Sequence, residues 1–288
     1  MSFQKILKIS RPRFWIYELG PFIVGVVAYL HTQSNPSQSL SLMTVIALGV
    51  FALYFLIPAN ILIYGINDVF DYETDKLNPK KVAYESLLMP SQHLSVMKWI
   101  ALTNIPFIIL LPFLKQDYAT LFALFLFIFF ASFYSAEPIR AKSKPILDSI
   151  FSASHYVTTG AFAYLLAGGQ AGELSPLFIG AALSWAIAMH AYSAVPDIDA
   201  DKASGIATIA TLFKKQVTLL ICGALYLFAG VAFMKVNLIV GLFFTVVYLT
   251  IVTLSLIAKD EERLFKLYTY FPKINTIAGA AIFFAVLF

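Results

Sequence analysis

The chain has 288 residues, of which 60% are hydrophobic and only 12% charged, with a mean hydropathy of +0.80. Soluble domains carry about a quarter charged residues, so a water-soluble globule, a disordered chain and a collagen-like or disulfide scaffold are excluded. The lone Cys222 has no internal partner. The net charge of +4 fits basic cytoplasmic loops between membrane helices and is no evidence for nucleic acid.

Lys5, Lys8, Arg11 and Arg13 precede the first apolar run, as in a signal sequence. No small-residue cleavage site follows and more apolar runs come after, so the sequence predicts an uncleaved first helix. The charge-free run 19–67 is too long for one span of about 20 residues. The polar stretch 33–39 divides it. The remaining runs complete nine predicted helices, at 14–31, 43–66, 94–114, 118–134, 148–167, 176–195, 216–233, 237–258 and 273–288. Backbone in lipid must satisfy its own hydrogen bonds, which makes these runs helices. The fold class expected is all-α, a polytopic protein of the cell membrane. Residues 259–273 read as an interfacial loop or short helix.

Placing the N-terminus in the cytoplasm puts seventeen Lys and Arg in inner loops and only Lys115 and Lys235 outside. This asymmetry fixes the orientation and supports the helix count. Two inner loops are also acidic. Loop 67–93 holds Asp68, Asp71, Glu73, Asp75 and Glu85, and loop 196–215 holds Asp197, Asp199 and Asp201. Each follows a long apolar helix. This hints at a four-helix pseudo-repeat, 14–134 and 148–258, with 273–288 as an extra helix, all within one domain over 1–288.

Asp68, Asp71 and Asp75, at i, i+3 and i+7, fall within about 60° of one helical face, with Glu73 pointing away. Asp197 and Asp201 share a face at i, i+4, and Asp199 lies opposite. Like charges so placed repel unless a cation lies among them. The donors are oxygens with no His or Cys, which argues against zinc. Mg²⁺ takes one or two carboxylates, keeps waters and shares substrate phosphates. The two acidic faces therefore predict Mg²⁺ bound with a diphosphate. Lys80, Lys81, Lys202, Arg140, Lys142 and Lys144 are nearby cations for its oxygens.

These residues resemble the UbiA superfamily of intramembrane prenyltransferases. Asn67-Asp68-x-x-Asp71-x-x-x-Asp75 is similar to its first motif, and Asp197-x-x-x-Asp201-x-x-x-Gly205 to its second. Tyr134-Ser135-x-x-Pro138-x-Arg140-x-Lys142 is similar to its tyrosine-to-lysine motif, departing at Glu137, where many relatives have proline. The resemblance implies a helical bundle whose cavity opens towards lipid beneath a cap of cytoplasmic loops. It implies Mg²⁺ on Asp68, Asp71, Asp75, Asp197 and Asp201, which are thereby the catalytic residues. Asn67, Arg140, Lys142 and Lys202 would bind diphosphate.

The partners implied are a prenyl diphosphate, a lipophilic acceptor drawn from the bilayer, and membrane lipid. The allylic cation left by ionisation needs shelter from water, and aromatic faces stabilise such a cation. Tyr64, Tyr134 and Tyr192, near the inner helix ends, are the candidates. His190 and Asn60, each seven residues before a motif, are candidates for the cavity wall, with hydrogen bonding inside the bundle as the alternative. His155 lies mid-span with no nameable partner, and Cys222 reads as packing.

The residues around both motifs resemble the lycopene elongase branch, which implies a dimethylallyl donor and a carotenoid acceptor. An aromatic quinone precursor, a polar-lipid acceptor and a membrane terpene cyclase are the alternatives within the superfamily. A cation-coupled transporter is the alternative outside it. A transporter needs ionisable groups at mid-membrane, and the expectation is that the span middles hold no carboxylate.

Overall fold

The computed structural model describes residues 1–33, 40–76 and 87–287. Lys80, Lys81, Glu85 and most of the polar stretch 33–39 lie outside the described residues. Among the described residues all regular structure is helical, as an apolar chain that must bond its own backbone requires. Seven helical segments among them are long and apolar enough to cross a membrane. Leu42, Phe113 and Ile239 stand exposed on such segments, as lipid-facing side chains do. The chain divides into two compact units. One comprises Met1–Arg140 and Thr158–Ala171, the other Ala141–Val157 and Gly172–Phe288.

In the first unit, α1 (Phe3–Ile9) starts at Ser2, whose hydroxyl accepts from the Lys5 amide. Ile6 and Ile9 are its buried face. This helix was not expected, because it is short and shares its turns with Lys5 and Lys8. A 3₁₀ turn, Pro12–Phe14, leads into α2 (Ile16–Thr32). The expected helix 43–66 is two helices, α3 (Leu42–Leu56) and α4 (Pro58–Phe70).

The break at Ile57 follows from Pro58, which brings no N–H to the ladder. Two asparagines satisfy carbonyls at the break. Asn60 Nδ2 donates to the carbonyls of Phe55 (2.9 Å) and Leu56 (3.1 Å), and Asn104 Nδ2 donates to that of Pro58 (3.2 Å). Asn60 is thus a backbone cap within the bundle, the alternative allowed for it from sequence.

A short turn, α5 (Tyr72–Asp75), follows α4. Then come α6 (Pro90–Leu114) and α7 (Tyr118–Ser135). Asp117 begins α7, accepting from the amides of Ala119 and Thr120. The helix α8 runs from Leu147 to Ala167. Its C-terminal half packs on α2, where a Cβ on Gly25 would fall onto the Gly160 carbonyl oxygen. Small residues allow such close crossings in membranes.

The second unit holds α9 (Pro176–Ala194), α10 (Ile198–Ala203), α11 (Ile209–Phe233), α12 (Leu238–Leu256) and α13 (Glu261–Leu287). Within it α11 packs against α9 and α12. There Cys222 is buried, its thiol directed at the Ala188 carbonyl. Thr208 and Thr211 form a capping box that starts α11; the helix is broken at Lys214, with φ 62° and ψ 169°, just before the expected start at 216. Residues 259–273, expected as a loop or short helix, belong mostly to α13, which runs on through Pro272. The helices α8 and α13 are not among the seven apolar spans. Ser149, Ser152, Ser154, His155 and Thr159 dilute the first.

Candidate active site

The first acidic motif occupies the end of α4. Asp68 is the last motif carboxylate on the helix proper. The helix stops at Phe70, and Asp71 has φ −102° and ψ 4°. The single helical face expected for Asp68, Asp71 and Asp75 is therefore interrupted. Asp75 closes the separate turn α5, its amide bonded to the Asp71 carbonyl at 2.8 Å. This bridged geometry at Asp71 lets a buried carboxyl, 2% exposed, follow directly on a membrane helix.

Two arginines meet these carboxyls. Arg11 Nη2 donates to Asp68 Oδ1 at 2.8 Å, and Arg140 Nη2 lies 3.8 Å from Asp71 Oδ1. Both arginines have left-handed backbone, with φ 50° and 43°. Non-glycine residues rarely adopt that region, and such strain gathers at functional sites. Arg11 also precedes Pro12, which disfavours its helical alternative. Its guanidinium lies 4.6 Å from the centre of the Tyr64 ring, with Phe14 on that ring at 5.9 Å. Tyr64 and Asp68 are i, i+4, so one face of α4 grips Arg11 with a ring and a carboxyl.

Asn67 Oδ1 accepts from Ser135 Oγ at 3.3 Å, joining the ends of α4 and α7. Tyr134 beside it is half-buried. Glu137, the departure in the tyrosine-to-lysine stretch, stands 3.7 Å from Arg140 Nη1. Its charge thus shares the guanidinium with Asp71. Glu73 is exposed and pairs with Lys76. That hydrogen bond holds the Lys76 ammonium above its ordinary pKa.

The second motif straddles a change of helix type. Asp197 ends the 3₁₀ turn Val195–Asp197, and Asp201 lies within α10. Thr208 Oγ1 donates to Asp201 Oδ2 at 3.4 Å, and the Ile206 amide returns to the Asp201 carbonyl at 2.9 Å. That return requires the left-handed φ of 68° at Gly205, which explains the motif's glycine. Lys202 is exposed and lies 3.7 Å from Asp199. Lys142 sits in the 3₁₀ turn Ala141–Ser143 of the second unit, whereas Arg140 belongs to the first. Tyr192 is 1% exposed, hydrogen-bonded to Ser255 at 2.8 Å and packed on Phe271 at 4.5 Å. Those are the contacts of helix packing.

Sequence reasoning overlooked four residues. Arg11 was counted only as a topology signal. Thr208 is visible only through its bond to Asp201. Asp148 has no exposure and accepts from the Ile209 amide at 3.0 Å, with His190 Nε2 at 3.7 Å. Glu18 lies inside α2, 1% exposed, accepting from Thr159 at 2.9 Å. It stands in the first turn of that helix, outside the span middles to which the expectation applied. A lone acidic residue in an apolar run was the signal for it.

The donors of both motifs are oxygens, and among the described residues no three His, Cys, Asp or Glu side chains converge as a self-sufficient metal cage. This set fits Mg²⁺, which keeps waters and completes its shell with phosphate oxygens. Guanidinium groups already on Asp68 and Asp71 show that these carboxyls attract positive charge.

Residues 19–276 match the UbiA prenyltransferase family. The chain belongs to this family. A UbiA-family protein is an enzyme that transfers prenyl groups, and its apolar helices make this one a multi-pass membrane protein. The lycopene elongase/hydratase of Haloferax volcanii is 35% identical over 275 residues, covering 95% of this chain and 85% of its own. That of Halobacterium salinarum is 34% identical, covering 96% and 94%. The fold is also that of a UbiA homologue from Archaeoglobus fulgidus solved with DMAPP and Mg²⁺. Its TM-score is 0.67 at 21% identity, over 98% of this chain and 99% of the other.

Proposed function

We propose that this UbiA-family enzyme uses Mg²⁺ to transfer a five-carbon allylic group from dimethylallyl diphosphate to the end of a long polyene, lycopene being the acceptor. The observation that carries the reading is the pairing of Asp68 with Arg11 and Asp71 with Arg140 at the end of α4. Carboxyls and guanidiniums interleaved at a membrane helix end suit a metal-bound diphosphate. The carboxyls take the metal and the guanidiniums take phosphate oxygens by charge-assisted bonds.

Asp68, Asp71 and Asp75, with Asp197 and Asp201, would hold Mg²⁺. Asn67, Arg140, Lys142 and Lys202 would contact the diphosphate, and Arg11 joins them. When bound, Mg²⁺ neutralises the leaving diphosphate. The protein's part is to hold the donor, to direct cations at the oxygens that gain charge, and to keep water from the allylic cation. The site faces the cytoplasm with the N-terminus, as the basic loops require. Support for the donor and metal comes from the fold neighbour holding DMAPP and Mg²⁺. Support for the acceptor comes from the lycopene elongase/hydratases with which the chain aligns nearly end to end.

Expression in lycopene-producing bacterial cells, beside Asp68→Asn and Asp197→Asn, tests the proposal. Extracted pigments are analysed by liquid chromatography and mass spectrometry. Carotenoids heavier by one or two five-carbon units, absent from both variants, are expected. Unaltered lycopene with the protein present in the membrane would refute the acceptor.

A further inference from the structure

The proposed reaction leaves a proton to be removed. Breaking the donor's C–O bond sends its electron pair away with the diphosphate. The terminal alkene of the polyene then gives its π pair to the allylic carbon, forming the new C–C bond and a tertiary cation on the acceptor. That cation ends in one of two ways. A neighbouring C–H bond breaks, its electron pair becomes the new alkene and a proton goes to a base. Otherwise water adds and an alcohol forms after losing its proton. The base must lie on the hydrocarbon side of the diphosphate, and the motif aspartates are committed to Mg²⁺.

The structure assigns this role to His190, with Asp148 as the residue that positions it. His190 lies seven residues before Asp197, which at the rise of a helix puts it about 10 Å deeper along α9. Its imidazole Nε2 stands 3.7 Å from Asp148 Oδ2. The ring keeps 16% exposure while the carboxyl has none, so the imidazole is the more exposed member of the pair. The same Asp148 oxygen accepts the Ile209 amide at 3.0 Å. Ile209 follows Thr208, which bonds Asp201. The carboxyl is therefore fixed by the start of α11, on the loop that carries the second motif. A titratable ring oriented by a buried carboxyl is the arrangement of a general base and its orienter. The imidazolium formed on proton transfer is balanced by Asp148 in surroundings where an isolated charge is costly.

This assignment rests on prenyl transfer to a polyene and is tested by partition between products. The unaltered protein, His190→Gln, Asp148→Asn and Asp148→Glu are supplied with lycopene and dimethylallyl diphosphate in liposomes. Diphosphate release is measured together with the ratio of unsaturated product to its hydrated counterpart. Per diphosphate released, His190→Gln is expected to shift that ratio towards the alcohol by about tenfold or more. Asp148→Asn should shift it the same way by less, and Asp148→Glu should restore part of it. In the unaltered protein, deuterium at the acceptor position that loses the proton should also favour the alcohol.

An unchanged ratio in His190→Gln, or no isotope shift in the unaltered protein, overturns the assignment while leaving prenyl transfer intact. No elongated product from the unaltered protein overturns both.

Discussion

Arg11 binds Asp68 at 2.8 Å while its guanidinium covers the Tyr64 ring at 4.6 Å. The arginine therefore takes one oxygen of a carboxyl that would hold metal, from a backbone held at φ 50°. On the proposed reading, Arg11 and a divalent ion would compete for Asp68 in the absence of diphosphate. With diphosphate, the same guanidinium has phosphate oxygens to bind. Arg11→Ala should therefore bind Mn²⁺ a few-fold more tightly in the absence of diphosphate, read by electron paramagnetic resonance. In Mg²⁺ it should bind inorganic diphosphate about tenfold more weakly, read by calorimetry. If neither affinity moves, Arg11 is only a structural partner of Asp68.

Asp71 is the most buried described carboxyl of the first motif and lies 3.8 Å from the Arg140 guanidinium. Asp71→Asn keeps the shape and removes the charge. Diphosphate release should fall by about a hundredfold or more, with the melting temperature little changed. Loss of folding in gel filtration, rather than loss of turnover, would make Asp71 a scaffold residue.

Much of this arrangement was legible in the chain. The spacing of Asp68, Asp71 and Asp75, and of Asp197, Asp201 and Gly205, marked both motifs, because periodicity and oxygen chemistry are local. The break at Asp71 was not legible, since nothing in Asp71-Tyr72-Glu73 forbids a helix. The cut at Pro58 was written in the sequence but hidden within an unbroken apolar run. Arg11, Asp148 and Glu18 escaped for another reason. Their partners lie 57, 61 and 141 residues away, and only tertiary packing makes those pairs. Apolar length likewise conceals that Tyr192 is spent on Ser255 and Phe271.

The crossing of α2 and α8 should be sensitive to volume at one position. A side chain at Gly25 meets the Gly160 carbonyl and Ala163, so Gly25→Val must push two backbones apart. Overpacking of this kind costs about 1–3 kcal/mol. Gly49 lies in helix α3 with nothing within 4 Å of an added Cβ, and Gly49→Ala should stabilise by up to about 1 kcal/mol through helix propensity. Thermal unfolding in detergent should move the two variants in opposite directions. Equal midpoints would mean that α2 and α8 do not pack as tightly as their glycines indicate.

The start of α7 has a stability contribution that depends on pH. Asp117 accepts from the Thr120 hydroxyl at 2.6 Å and from the amides of Ala119 and Thr120 at 3.1 and 3.2 Å. The Thr120 hydroxyl chiefly, and then the two amides, hold its carboxyl below the ordinary range. A carboxyl with a lowered pKa in the folded state stabilises above its unfolded pKa, and that contribution is lost as pH falls through the folded value. Asp117→Ala should therefore cost about 1 kcal/mol at pH 7, the usual worth of a helix N-cap. The gap between variant and parent should narrow below about pH 4. Asp117→Asn retains a capping oxygen without the charge, so its stability relative to Asp117→Ala should not change over the same range. Denaturation midpoints for the three proteins at both pH values decide the matter. A gap between Asp117→Ala and the parent that stays constant with pH would show that the cap acts through shape alone.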